Sequence, residues 1–292
     1  MNIIKIKNIY IKINISMLAA FILFILCGFF IEIIIITFTI LIHELFHSIV
    51  AKKYGFEVEE IEIFPFGGIA RFEQIKTIYP KEEIFICIVG PLSNFIIALI
   101  FIGIKSFYFH SYLIDYIIKV NILMFTINIL PIFPLDGGKI IRSLLSLFIG
   151  YKSSTIKLTY ITYILCTIVI LYDILNGLTV NGIYFSLIAV FTIIAAKKER
   201  EMAAFVFIKS ITRKTKELHK KKNIKVHILV CMKTLNIKET VDFFLPNKYH
   251  IFIIINTNGD TIGTLTENQL IEGIYSYGFD ITLEELLIET QK

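Results

Sequence analysis

Two histidines four residues apart, His43 and His47, flank a glutamate, Glu44, in the stretch Leu41-Ile42-His43-Glu44-Leu45-Phe46-His47. On a helix, positions i and i+4 share a face, so both imidazoles can reach one metal ion. Glu44, next to the first of them, can reach water at that ion and accept its proton. That set of groups hydrolyses amide bonds. A His pair at this spacing is often mere helix surface. Here, however, it lies in a run apolar enough to cross a membrane, where an ionisable group costs roughly 2.5–3.5 kcal/mol and tends to be functional or paired.

A catalytic zinc site takes three protein ligands and keeps a position open. Much later the chain reads Asn128-Ile129-Leu130-Pro131-Ile132-Phe133-Pro134-Leu135-Asp136-Gly137-Gly138-Lys139. The prolines stop a helix and the glycines allow unusual backbone just past a carboxylate. Asp136, expected on a special loop, is the candidate third ligand; an ordinary turn aspartate is the alternative. Gly90-Pro91-Leu92-Ser93-Asn94 places a kink and a lone amide inside another apolar run. Asn94 either bonds a neighbouring helix or faces the site, and Asn94 and Asn128 are the candidates to stabilise an oxyanion. Val58 to Phe72 alternates Glu and Ile, then runs Pro65-Phe66-Gly67-Gly68, which predicts a β-hairpin. It serves either as a loop over the bundle or as an edge strand against which an unwound substrate pairs.

The elements that must position these groups are membrane helices. Of 292 residues, 56% are hydrophobic and 18% charged, more apolar surface than a soluble domain needs. The net charge of +5 lies in loops and tail and marks no nucleic-acid patch. Six transmembrane helices are drawn at approximately 13–31, 33–51, 84–104, 115–131, 158–175 and 183–196, with the turn between the first two at Glu32. Lysines and arginines gather before span one, between spans two and three, after span four and after span six. The positive-inside rule then puts both termini, and the cytosolic half of span two with its histidines, on one side. Cys27, Cys87, Cys166 and Cys231 have neither disulfide nor Cys-type zinc spacing. No cleavage site follows the apolar N-terminal run, which argues against a removable signal peptide.

Behind the spans, 198–222 reads as a basic linker helix, either on anionic headgroups or solvated. From about 223 the composition is that of a soluble domain. His250 to Asn256 reads as a buried strand, Thr257 to Asp260 as a turn, Thr261 to Thr266 as a strand and Glu267 to Tyr275 as a helix. The expected organisation is a polytopic α-helical membrane domain over 1–197, with a β-hairpin between helices 2 and 3, then the linker, then a small α/β cytosolic domain over 223–292.

His-Glu-x-x-His in one span, Gly-Pro-x-x-Asn opening another and Asn-x-x-Pro-x-x-Pro-Leu-Asp-Gly-Gly later resemble the site-2 protease family of intramembrane zinc metalloproteases. Within it, Leu-Ile-His-Glu-Leu-x-His, Pro-Phe-Gly-Gly and a short tail resemble the sporulation enzymes that process pro-sigma-K. The resemblance implies one zinc ion held by His43, His47 and Asp136, with Glu44 as general base. It implies that Asn128 and Pro134 shape or contact the substrate. Phe46 stands where many relatives have Gly, a bulkier choice that could narrow the packing beside span two. The resemblance further implies a pro-sigma factor as membrane-associated substrate, with an anti-sigma factor as the other choice. Regulatory membrane proteins and a mother-cell membrane around the forespore go with it. The tail resembles half of a CBS domain pair, which implies ATP as a ligand and pairing with a second chain. Gln269, however, stands where many such domains have a ribose-contacting Asp. Two other classes stay open: a metal-ion transporter, for which no internal repeat is visible, and a scaffold, disfavoured by the intact Glu44. Spacing alone does not separate zinc from another divalent metal, although two histidines and a carboxylate in a hydrolase favour zinc.

Overall fold

The computed structural model describes residues 2–6, 9–56, 58–64, 67–72, 79–107, 111–177, 184–203, 225–241, 243–245 and 248–290. The chain separates into two compact units, Met1–Ile141 with Ile161–Ala196 and Arg142–Tyr160 with Lys197–Lys292.

Apolar runs form the helices α1 (Ile15–Leu26), α2 (Phe30–Lys53), α3 (Pro80–Phe107), α4 (Tyr112–Asn128), α5 (Asp136–Ile149) and α6 (Tyr151–Leu175). Residues 184–203 form α7. Among the described residues α2, α3 and α6, of 24, 28 and 25 residues, are long and apolar enough to cross a membrane, while α1 is a shorter apolar helix. The turn between α1 and α2 falls at Gly28 rather than Glu32, which lies inside the first turn of α2. Gly28 has φ +84°, a left-handed conformation that costs only glycine little. The segment after Pro134, expected as a loop, is the helix α5, with Asp136 as its first residue. α3 runs on through Pro91. The linker expected at 198–222 lies outside the described residues from 204 onward.

The expected hairpin is present as β3 (Val58–Phe64) and β4 (Gly67–Phe72), antiparallel with Ile61 opposite Ala70 and Ile63 opposite Gly68. It belongs to a larger sheet. β1 (Asn2–Ile6) and β2 (Ile9–Ile13) form a second hairpin, and β2 lies parallel to β3 with Tyr10 opposite Glu60 and Ile13 opposite Ile63. In the order β1-β2-β3-β4, β3 is an interior strand, so the edge on the hairpin side is β4. The core beside α2 gathers Met17, Ile33, Ile40, Ala51, Phe56 and Ile86.

The tail folds as β5 (Val226–Met232), α8 (Ile237–Val241), β6 (Tyr249–Ile255), β7 (Thr261–Thr266), α9 (Glu267–Tyr277) and α10 (Leu283–Thr290). β5 runs parallel to β6, and β7 antiparallel to it. The predicted turn is closed by Asn256, whose Oδ1 accepts from the amides of Asn258 and Asp260 at 2.9 Å each. Phe252, Ile254, Leu265, Leu270, Leu283 and Leu286 form the core.

Candidate metal centre

The inward stripe of α2 is Ile33, Ile40, His43, Glu44, His47, Ser48 and Ala51, the i, i+3, i+4, i+7 spacing of one helix face. Phe46 lies outside that stripe and is 41% exposed, so its ring faces away from the ligands. His43 and His47 are 3% and 6% exposed. Their Nε2 atoms lie 3.0 Å apart. Asp136 Oδ2 is 3.1 Å from His43 Nε2 and 3.0 Å from His47 Nε2. Three potential ligand atoms from two segments 89 or more residues apart therefore meet at one point.

The outer nitrogens settle what the inner ones can do. His47 Nδ1 donates to the Ile86 carbonyl at 2.7 Å, which leaves a lone pair on Nε2 in the neutral ring. Asn94 is fully buried, its amide 3.3 Å from His43 Nδ1, while its Oδ1 lacks a partner. A half-turn of that amide makes Oδ1 the acceptor for His43 Nδ1–H and removes the orphan. His43 Nε2 then also carries a lone pair. Two imidazole lone pairs and a carboxylate oxygen directed at a common point repel unless a cation lies among them. Ligands about 2.0–2.1 Å from a tetrahedral centre sit about 3.3 Å from each other. The observed 3.0–3.1 Å separations lie within a few tenths of that, so the residues fit a metal ion. Outer partners of this kind fix ring orientation and tautomer.

Glycines let the backbone approach this cluster. A Cβ on Gly90 would stand 2.8 Å from His43 Cε1 and closer still to the His47 ring. A Cβ on Gly68 would stand 2.8 Å from Glu44 Cδ and 3.0 Å from its Oε1. Gly137 and Gly138 press in the same way on the carbonyls of Ile129, Leu130 and Ile132, seating the first turn of α5 on the preceding loop. That loop is anchored by Phe133, fully buried, whose N–H donates to Thr162 Oγ1 at 3.1 Å. Lys139 Nζ reaches the other oxygen of Asp136 at 3.4 Å.

The structure thus brings together His43, His47, Asp136 and Asn94, with Glu44 buried on the same face of α2. Asn94 lies against a ligand ring. The Asn128 amide donates back to the Met124 carbonyl at 3.0 Å within α4, and Pro134, half-buried, follows a cis peptide bond from Phe133. The Ile86 carbonyl and the close seats of Gly68 and Gly90 are the contributors that sequence reasoning missed. The only signal was glycine inside regular elements, where it weakens the element unless a close approach requires it.

Comparison with known proteins agrees with this geometry. The profile of Peptidase family M50 matches residues 31–117, which include His43, Glu44, His47, Gly68, Gly90 and Asn94. A zinc metalloprotease of Methanocaldococcus jannaschii is 32% identical over 238 residues, 80% of this chain and 66% of that one. Stage IV sporulation protein FB of Bacillus subtilis is 32% identical over 110 residues, 37% of this chain and 38% of that one. Among solved structures, the site-2 protease from Methanocaldococcus jannaschii matches with TM-score 0.56 and 29% identity, over 68% of this chain and 94% of that chain.

Proposed function

The chain belongs to peptidase family M50, the site-2 metalloproteases, and on that premise we propose that it hydrolyses a peptide bond in or near a membrane-associated segment of a protein substrate. The observation that carries this is the convergence of His43 Nε2, His47 Nε2 and Asp136 Oδ2 within 3.1 Å of one another. These three atoms would hold one zinc ion. When bound, zinc supplies Lewis acidity, lowering the pKa of water toward ~7 and polarising a carbonyl.

The rest is done by this chain's own groups. Glu44 accepts a proton on its carboxylate as water attacks the scissile carbon, then returns it to the leaving amine nitrogen. Gly68 sets the backbone of β4 against the Glu44 side chain, which restricts the carboxylate's rotamers. Ile86 and Asn94 hold the imidazoles in the orientation a ligand needs. A spanning helix satisfies its own peptide groups and hides them, so the substrate segment must be extended before attack. β4, as the edge strand, is the element suited to receive it.

Glu44→Gln tests the reading. The amide cannot take a proton, so cleavage should fall by about 10²–10⁴-fold while zinc stays bound. Retained cleavage by that variant would remove Glu44 from the role of base.

For the substrate we propose the pro-sequence of a sporulation sigma factor, supported by the similarity to stage IV sporulation protein FB and the motifs shared with that group. Co-expression with pro-sigma-K should yield the shortened product. An intact pro-sigma factor beside a cleaved anti-sigma membrane protein would keep the activity and change the substrate. The same proposal carries six spans, cytosolic termini, regulatory membrane partners, self-association and a mother-cell membrane location. The order β5-α8-β6-β7-α9 supports a CBS-like half-module in the tail. Gln269 works against nucleotide binding there, because its side-chain oxygen accepts from the Thr266 amide and hydroxyl at 2.8 Å each.

A further inference from the structure

The third candidate ligand is the first residue of α5, so it is placed only as well as that helix is held. Arg142, six residues along the same unbroken helix, is 4% exposed. Its Nη1 donates to Glu199 Oε2 of α7 at 3.0 Å, and its guanidinium stands 4.8 Å from the ring centre of Tyr151, the first residue of α6. The next residue of α7, Arg200, stands over Tyr160 of α6 at 5.4 Å. Charge and ring contacts therefore tie three helices at one level.

The Arg142 guanidinium is not the only buried polar group near this level. Ser146, Ser154, Thr155 and Thr159 are fully buried, but each hydroxyl donates to a carbonyl of its own segment, at 2.6 to 2.9 Å. Such small residues let helices approach closely without specifying rotation or sliding. A charged pair with defined geometry, here a buried guanidinium on a half-buried carboxylate, constrains both. We propose that Arg142, held by Glu199, is a positioning residue for Asp136, fixing the rotation and height of α5 so that the carboxylate meets the two imidazoles. This rests on the metal-site reading above.

The test is zinc affinity by chelator competition on the purified full chain, read beside kcat and KM. Arg142→Gln and Glu199→Gln should each weaken zinc binding about 10–100-fold and lower kcat with little change in KM. The reversed pair, Arg142→Glu with Glu199→Arg, should recover most of the affinity. In an Asp136→Asn background, Arg142→Gln should add no further loss, because the ligand it positions is already gone. Unchanged affinity in folded Arg142→Gln, or an equal loss in the Asp136→Asn background, would overturn the proposal. If Arg142→Gln does not fold, Glu199→Gln and the reversed pair decide it, and a folded reversed pair without recovery overturns it. Wild-type chain that binds no zinc would instead sink the metal site itself, so the two failures are distinguishable.

Discussion

Among the described residues there are two buried histidine–carboxylate clusters, and they differ in the balance of donors and acceptors. In the tail, His250 and Glu267 are 0% and 1% exposed. His250 Nε2 accepts from the Leu245 amide at 3.0 Å, and its Nδ1–H donates to Glu267 Oε2 at 3.0 Å, which also accepts the His250 amide at 3.0 Å. The Phe244 ring stacks on the imidazole at 4.9 Å. Each ring nitrogen of His250 meets a complementary group. In the membrane unit the outer nitrogens are also satisfied, by Ile86 and Asn94, yet the three inner atoms are all acceptors. Residue types and burial are alike. Only the second cluster, with neutral rings, offers three lone pairs to one cation.

The sharpest way to break that contrast is to swap assays between the two clusters. Asp136→Asn keeps the volume but removes the anionic oxygen. Zinc affinity should fall by more than the ~10–100-fold that outer partners account for, with cleavage lost in parallel. His250→Phe in the same chelator-competition assay should leave zinc affinity unchanged. A fall with His250→Phe would mean that the tail cluster is not the self-contained one.

Next in size are the groups behind the ligands. Asn94→Leu removes the acceptor for His43 Nδ1–H and should cost about 10–100-fold in zinc affinity. Gly90→Ala pushes a methyl into both imidazoles and should act on the same measurement in the same direction. If Asn94→Leu binds zinc like wild type, the buried Oδ1 is not the partner of His43.

How far the sequence foretold this contrast depends on range. His43, Glu44 and His47 lie within five consecutive residues, and helical spacing alone places them on one face. The tail strands at His250 and Thr261 and the turn between them were legible for the same reason: their signals are local. Asp136 was legible as a residue but not as a helix start, because the prolines before it and the glycines after it read as loop. In the structure those glycines serve the packing of α5 on the Ile129 to Ile132 carbonyls. The residues of β1 and β2 show in sequence as the basic stretch before span one, although Ile and Lys alternate there. The other partner of β2, β3, begins about fifty residues later, and nothing in a short window reveals it. The same holds for Gly68 and Gly90, whose neighbours are far away in the chain, and for the His250–Glu267 pair, whose members are 17 residues apart.

On the tail side of the comparison, His250→Phe removes the ring N–H from the Glu267 carboxylate, which keeps the His250 amide, and takes the acceptor from the Leu245 amide. That should cost about 1–3 kcal/mol, seen as faster amide hydrogen exchange in β6 and α9 of the full chain. Exchange confined to the tail would show that its cluster stabilises only its own fold. An unchanged exchange pattern would mean that the buried hydrogen bonds are replaced by water.

The smallest effect concerns the helix that carries Glu267. Thr266 caps α9: its side chain accepts from the Gln269 amide, and the Gln269 side chain accepts in return from the Thr266 amide. Gln269 is therefore occupied by the fold of its own helix, not held open for a ribose. Thr266→Ala should cost about 1 kcal/mol, or roughly a fivefold rise in exchange of the first-turn amides of α9, while zinc affinity and cleavage stay as in the wild type. Exchange that does not rise would show that the cap is made by other means and that Gln269 is available after all. Because the cap and the His250–Glu267 pair both hold the start of α9, Thr266→Ala and His250→Phe together should exceed the sum of their separate effects, a coupling the metal centre should not share.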